Sequence, residues 1–162
     1  MTDYVGRKTT LPAHMQAFGN LSAFVDTVSI TAALTTSDKV KAVRIPAGTM
    51  LTGLEFFSGD LDTGTGVLAV KIGWESASGE SITVQTPAGN ASAASDDDAF
   101  GTALTDFATA SSLGGTRKRL AFEPILFNDD VFITIIPTTG ANAMSAAKTV
   151  TTIAEGITVG IK

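Results

Sequence analysis

The sequence predicts an all-β protein: an antiparallel β-sandwich of jelly-roll type, with one short helix in a long connection and an extended N-terminal arm. Three observations carry this expectation. Apolar residues recur in short runs of period two, which places alternate side chains on opposite faces of a strand. About eight such runs are separated by clusters of Gly, Pro, Asn and Asp, and eight strands suit the two sheets of a jelly roll. No regular strand–helix alternation supports a parallel sheet, and no repeat of about 20–50 residues supports a solenoid or propeller.

Residues 1–20 form the predicted arm, because Thr9-Thr10-Leu11-Pro12-Ala13-His14 has no steady period and Pro12 pushes its neighbour towards extended geometry. The sandwich domain is expected over 21–162. Its first strand covers 24–32, rich in β-branched residues. The next, 40–45, alternates and is closed by Pro46-Ala47-Gly48. A strand over 50–58 follows and ends at Gly59-Asp60. The clearest strand is 67–75: Leu68, Val70, Ile72 and Trp74 face one way, while Ala69, Lys71 and Glu75 face the other. A shorter one, 81–85, is stopped by Pro87. Residues 88–115 are rich in Ala, Ser and Thr. There Ser95 is expected to cap a short helix, with Asp96, Asp97 and Asp98 in its first turn and Phe100, Leu104 and Phe107 on its apolar face. Strands resume at 118–122 and 131–136, either side of the turn Asn128-Asp129-Asp130. The last strand is expected after Gly156, through Ile157, Val159 and Ile161.

A chain of 162 residues suits one domain, and on the surface-scaling rule roughly two-thirds of its surface is buried on folding. Hydrophobic residues make up 44% and charged residues 17%, with no Cys, so disordered and disulfide-framework classes are excluded. A net charge of −5 argues against a nucleic-acid binder held by phosphate contacts. No apolar run is long enough for a spanning helix, and the N-terminus does not read as a secretory signal. One His, one Tyr and no Cys are a poor stock for catalysis. The expected molecule is a structural or binding module, not an enzyme, with no cofactor and no metal.

Local motifs support that view. Gly64-Thr65-Gly66-Val67-Leu68-Ala69 spells a dinucleotide fingerprint, but a period-two strand follows where the fingerprint needs a helix; a hairpin turn over 62–66 is expected instead. Asp60-Leu61-Asp62 begins like a calcium loop, yet Thr65 stands where a sharp-turn glycine is needed and Lys71 where a bidentate glutamate should close the shell. His14 is the one imidazole and lies in the arm. Trp74 continues the apolar face of its strand, so packing is expected of it rather than ligand stacking. Arg117-Lys118-Arg119 is the one basic run; on a strand its two arginines share a face and Lys118 points away. Such a run is either a charged strand edge or a contact for an acidic partner. Arg7 and Lys8 make a second small basic spot.

Several phrases carry a resemblance: Lys41-Ala-Val-Arg-Ile-Pro-Ala-Gly-Thr-Met-Leu-Thr-Gly-Leu-Glu-Phe, Val70-Lys-Ile-Gly-Trp74 and Asp97-Asp-Ala-Phe-Gly-Thr-Ala-Leu104. Leu120-Ala-Phe-Glu-Pro, Asp129-Asp-Val-Phe-Ile-Thr-Ile135 and Gly156-Ile-Thr-Val-Gly-Ile161 join them. Over roughly 38–161 the chain resembles small virion proteins of tailed phages, and with its size it is similar to capsid decoration (cement) proteins of jelly-roll type. The resemblance implies a homotrimer, made in the host cytoplasm, that sits on the outer capsid surface and bridges neighbouring major capsid subunits. It implies no direct nucleic-acid contact, no membrane and no catalytic residue. The residues expected to dock on the capsid are Arg7, Lys8, Leu11, Pro12 and His14 of the arm, with Arg117 and Arg119 of the body. A tail, baseplate or head-fibre module is the nearest alternative, and a carbohydrate-binding adhesin domain the next.

Overall fold

The computed structural model describes residues 2–5, 21–64, 66–108, 116–141, 143, 144 and 146–159. These residues form twelve strands: β1 (Asp3–Val5), β2 (Leu21–Ile30), β3 (Lys39–Ile45), β4 (Thr49–Ser58), β5 (Ala69–Ser76), β6 (Ile82–Thr86), β7 (Gly89–Ala93), β8 (Ser95–Leu104), β9 (Thr116–Leu120), β10 (Ile125–Phe127), β11 (Val131–Thr139) and β12 (Lys148–Thr158). A 3-10 turn, Asp106–Ala108, is the one helical element among the described residues.

Two sheets face each other. One runs β1-β3-β11-β5-β8; the other runs β2-β12-β4-β10-β6-β7, with β9 also on β4. β10 pairs with Thr49–Leu51 positions of β4 and β9 with its Leu54 to Ser58 positions, both antiparallel, so the two lie end to end along one edge of β4. They are one strand interrupted around Pro124, whose ring cannot donate to the ladder. Setting aside β1 and the β6–β7 hairpin leaves β2, β12, β4 and β9/β10 against β3, β11, β5 and β8. Successive strands of that set alternate between the sheets, except that β8 follows β5 within the five-stranded sheet and pairs with it; this is jelly-roll connectivity and the expected fold. Among the described residues the one parallel pair is β1 with β3, Asp3 opposite Lys39. Residues 6–20 and 160–162, with Arg7, Lys8, Leu11, Pro12, His14 and Ile161 among them, lie outside the described residues.

The core sits between the sheets and follows the alternation. Val40, Ile45, Leu51, Phe56, Val70, Ile72, Ile133 and Ile135 are fully buried. Aromatic rings stitch the layers edge to face: Trp74 on Phe127 at 5.4 Å, Phe56 on Phe107 at 5.8 Å and Phe100 on Phe122 at 4.8 Å between centroids. Burying one such side chain contributes about 1.5–3 kcal/mol.

The structure corrects three local expectations. The helix capped by Ser95 is absent; residues 95–104 form β8, and only Asp106–Ala108 turns helically. Asp96, Asp97 and Asp98 therefore cap nothing. Without β8 the outer edge of β5 would leave its backbone groups unpaired, and that long-range pairing outweighs a weak apolar period of three and four. Phe100 and Phe107 are still buried, but from a strand and a turn. The segment 62–66 does not close a hairpin, because β4 and β5 lie in different sheets and their connection crosses between them. Finally, the last strand begins at Lys148, well before Gly156, and ends at Thr158. Its inner face is Val150, Thr152, Ala154 and Gly156, too small and polar to give an apolar period.

Candidate functional site

Asp62 organises the β4–β5 crossover. Its carboxylate is 2% exposed and accepts from the backbone N–H groups of Gly64 (3.2 Å), Val67 (2.9 Å), Leu68 (3.2 Å) and Ala143 (3.3 Å). Four amides on one carboxylate explain the second acid of the Asp60-Leu61-Asp62 motif: it is a loop anchor. Asp130 acts similarly after β10, accepting from Ala47 N–H at 2.7 Å and pairing with Arg44.

The arginines of β9 lie where the alternation expected them, on the outward face of the seven-stranded sheet. Arg117 pairs with Glu55 and lies over the Phe57 ring at 5.5 Å; Arg119 pairs with Glu155 at 3.0 Å. Both remain well exposed, 67% and 62%. Hydrogen bonding from Arg117 to Glu55 raises the arginine's pKa, so it stays charged. Lys118 points the other way and meets Asp106 at 3.1 Å. On the same outward face, cross-strand register aligns Leu21, Ile157, Met50 and Leu126 in one apolar row across four strands. Leu21 is 64% exposed. The sequence hid this row, since its members come from four distant segments.

The outward face of the five-stranded sheet is a charge network that the sequence reading missed. Glu75 accepts from Lys39 at 2.7 Å and Lys41 at 2.8 Å. Burial pushes its pKa up, but those two ammonium groups outweigh burial and hold it below the ordinary range. Lys41 also lies 5.4 Å over the Phe132 ring. The signal was present as Lys39 and Lys41 at strand spacing, but only pairing brings Glu75 to them across β11. Among the described residues no group of three His, Cys, Asp or Glu side chains is placed to hold a metal ion.

A cleft of about 550 Å³ opens between the sheets along the side formed by β6, β7 and β8. Trp74, Val84 and Ile125 form its floor; Ala91, Ala93 and Ala99 form its walls. Asp96 and Asp97 stand at its rim. β7 turns into β8 through Ala94 alone, and that corner is fixed by the Ser76 N–H, which donates to the Ala94 carbonyl at 2.7 Å. Trp74 is 3% exposed, buried in the core as its strand position predicts.

No family model matches the chain, and no curated protein does. Two solved assemblies contain chains of the same fold. A chain of the cyanophage Pam1 capsid asymmetric unit is 16% identical with a TM-score of 0.57, covering 93% of this chain and 94% of that one. A chain of the capsid of Ralstonia phage GP4 is 18% identical with a TM-score of 0.57, covering 96% and 93%. At such identity the likeness establishes the shared sandwich.

Proposed function

We propose that this chain is a non-enzymatic structural protein of a phage virion, which binds the outer surface of an assembled capsid and stabilises it by bridging neighbouring major capsid subunits. One observation carries the reading: the fold is shared with chains of two phage capsid assemblies over more than nine-tenths of all the chains compared. A likeness confined to a few strands would fit any sandwich; one that spans both chains end to end favours a shared role. In this reading the protein works as a homotrimer, made in the host cytoplasm and added to the shell. Arg7, Lys8, Leu11, Pro12 and His14 of the 1–20 arm, with Arg117 and Arg119 of the 21–162 body, contact the capsid. Repeated copies add strength without strong single contacts, since each anchored contact raises the effective concentration of the next.

The test is to mix the purified protein with particles stripped of it and image them by electron microscopy. Density on the outer shell between major capsid subunits, lost with Arg7→Glu and Lys8→Glu together, is expected. Charge reversal is preferred to truncation because Asp3–Val5 belongs to the five-stranded sheet. Density on the tail, or no retention by shells, overturns the proposal.

A further inference from the structure

We infer that the cleft between β6–β7 and β8 is a docking groove for an extended protein segment that presents a lysine or arginine beside apolar side chains. The argument begins with volume. Elsewhere the space between the sheets is filled by Phe, Leu, Ile and Val, but here Ala91, Ala93 and Ala99 leave about 550 Å³ open above Trp74, Val84 and Ile125. Protein interiors are close-packed, and an apolar hollow of this size has room for one or two side chains of a partner.

Shape alone fits any apolar segment; charge selects among them. Of the two acids lining the groove, Asp97 is matched by Lys71 at 3.1 Å, whereas Asp96 has no ion pair among the described residues. Asp96 instead accepts the Asp98 backbone N–H at 3.3 Å. Burial raises the Asp96 pKa; the Asp98 N–H works against that, but a side-chain hydrogen bond with Asp98 and the charges of Asp98 and Asp97 raise it further. A carboxylate at the mouth of an apolar groove without a cationic partner, with Asp98 close to it in sequence and hydrogen-bonded to it, is complementary to a cation whose aliphatic stem can lie inside the groove.

The backbone supplies the third part. β7 and β8 are the terminal strands of their sheets on this side, so both present N–H and C=O groups unpaired by any described strand. An extended segment laid along the groove can pair with one of these edges while alternate side chains enter the hollow, the recognition mode of strand addition. This inference does not rest on the virion reading, and each can fail without the other.

The molecule carries its own probe, because Trp74 is the one tryptophan and lies on the groove floor. Isotope-labelled full-length protein is titrated with the peptide acetyl-Thr-Val-Arg-Val-Thr-amide, and with the same peptide carrying Gln for Arg, by nuclear magnetic resonance. Binding is expected near 1 mM, with amide shifts confined to β6, β7 and β8 and a shift of the Trp74 indole N–H. The Gln peptide is expected to bind at least about threefold more weakly, as is the Arg peptide to the Asp96→Asn, Asp98→Asn double variant. Ala99→Leu, which fills the hollow, should melt at or above the parent temperature yet lose the shifts. Should Ala99→Leu not fold, the aspartate variant decides. Equal binding of the two peptides, shifts outside the groove, no shifts at all, or the same shifts from calcium chloride alone would each overturn the inference.

Discussion

Adding one methyl group at Gly73 should cost more than at any other glycine of the described strands. A Cβ built there would stand 1.9 Å from the Asp96 carbonyl oxygen, 2.4 Å from the Asp97 carbonyl carbon and 2.7 Å from the Asp97 Cα. All three are backbone atoms, so no side chain can swing away. β8 pairs with β5 on both sides of this point, with register shifts between Ile72 and Trp74, and rides over Gly73 in between. Gly73→Ala must therefore lift β8 off β5. Overpacking of a closed site costs about 1–3 kcal/mol, and the backbone origin of this clash puts it at the upper end, about 3 kcal/mol. For a chain of this size that is a fall in Tm of about 6–12 °C. Thermal unfolding followed by circular dichroism measures it, and hydrogen exchange should find the lost protection concentrated in β8. A variant melting within about 2 °C of the parent, or one whose exchange quickens evenly throughout, would refute the reasoning.

Two further substitutions test how charge is used. Asp62→Ala strips an acceptor from four backbone amides in the β4–β5 crossover; a loss of about 3–4 kcal/mol is expected in urea titration, with Asp62→Asn losing less because one oxygen remains. Glu75 has a folded pKa below its ordinary value of 4.5, so it binds fewer protons folded than unfolded. Its contribution to stability is therefore complete above that ordinary value and disappears as pH falls through the depressed one. Glu75→Gln should flatten the acid limb of the stability–pH curve and leave Lys39 and Lys41 to repel each other at neutral pH; an unchanged acid limb would count against the pairing.

The parts of the fold legible in the sequence were those where one face is apolar and the other polar. β3, β4, β5 and β11 have buried patterns that track their letters, and Gly48, at φ 73°, takes the left-handed backbone that the turn after Pro46 needs. β8 and β12 were obscured for opposite reasons. β12 buries Thr152, Ala154 and Gly156, so its inner face lacks the large residues that reveal a period. β8 carries Phe100 with Leu104, a spacing that suits a helix, and its conformation is decided by the free edge of β5, which no local window contains. The surface was harder still. The shared face of Arg117 and Arg119 was legible because they sit two apart on one strand, whereas the Leu21–Ile157–Met50–Leu126 row exists only through register.

The groove at β6–β8 ties these observations together, because each feature that made residues 88–107 hard to read is a feature the groove requires. Small side chains blurred the strand period there and also leave the hollow. Three consecutive aspartates looked like a helix start, and in a strand they place Asp96 and Asp97 at a rim instead, of which Lys71 matches only Asp97. Gly73 lies beneath them on β5, and without it β8 could not cross close enough to hold those acids where they are. A sequence selected only for stability would fill this space, since cavity-filling substitutions are among the commonest stabilising changes. Local rules broken together at one place, in a sandwich that obeys them elsewhere, mark that place as a site.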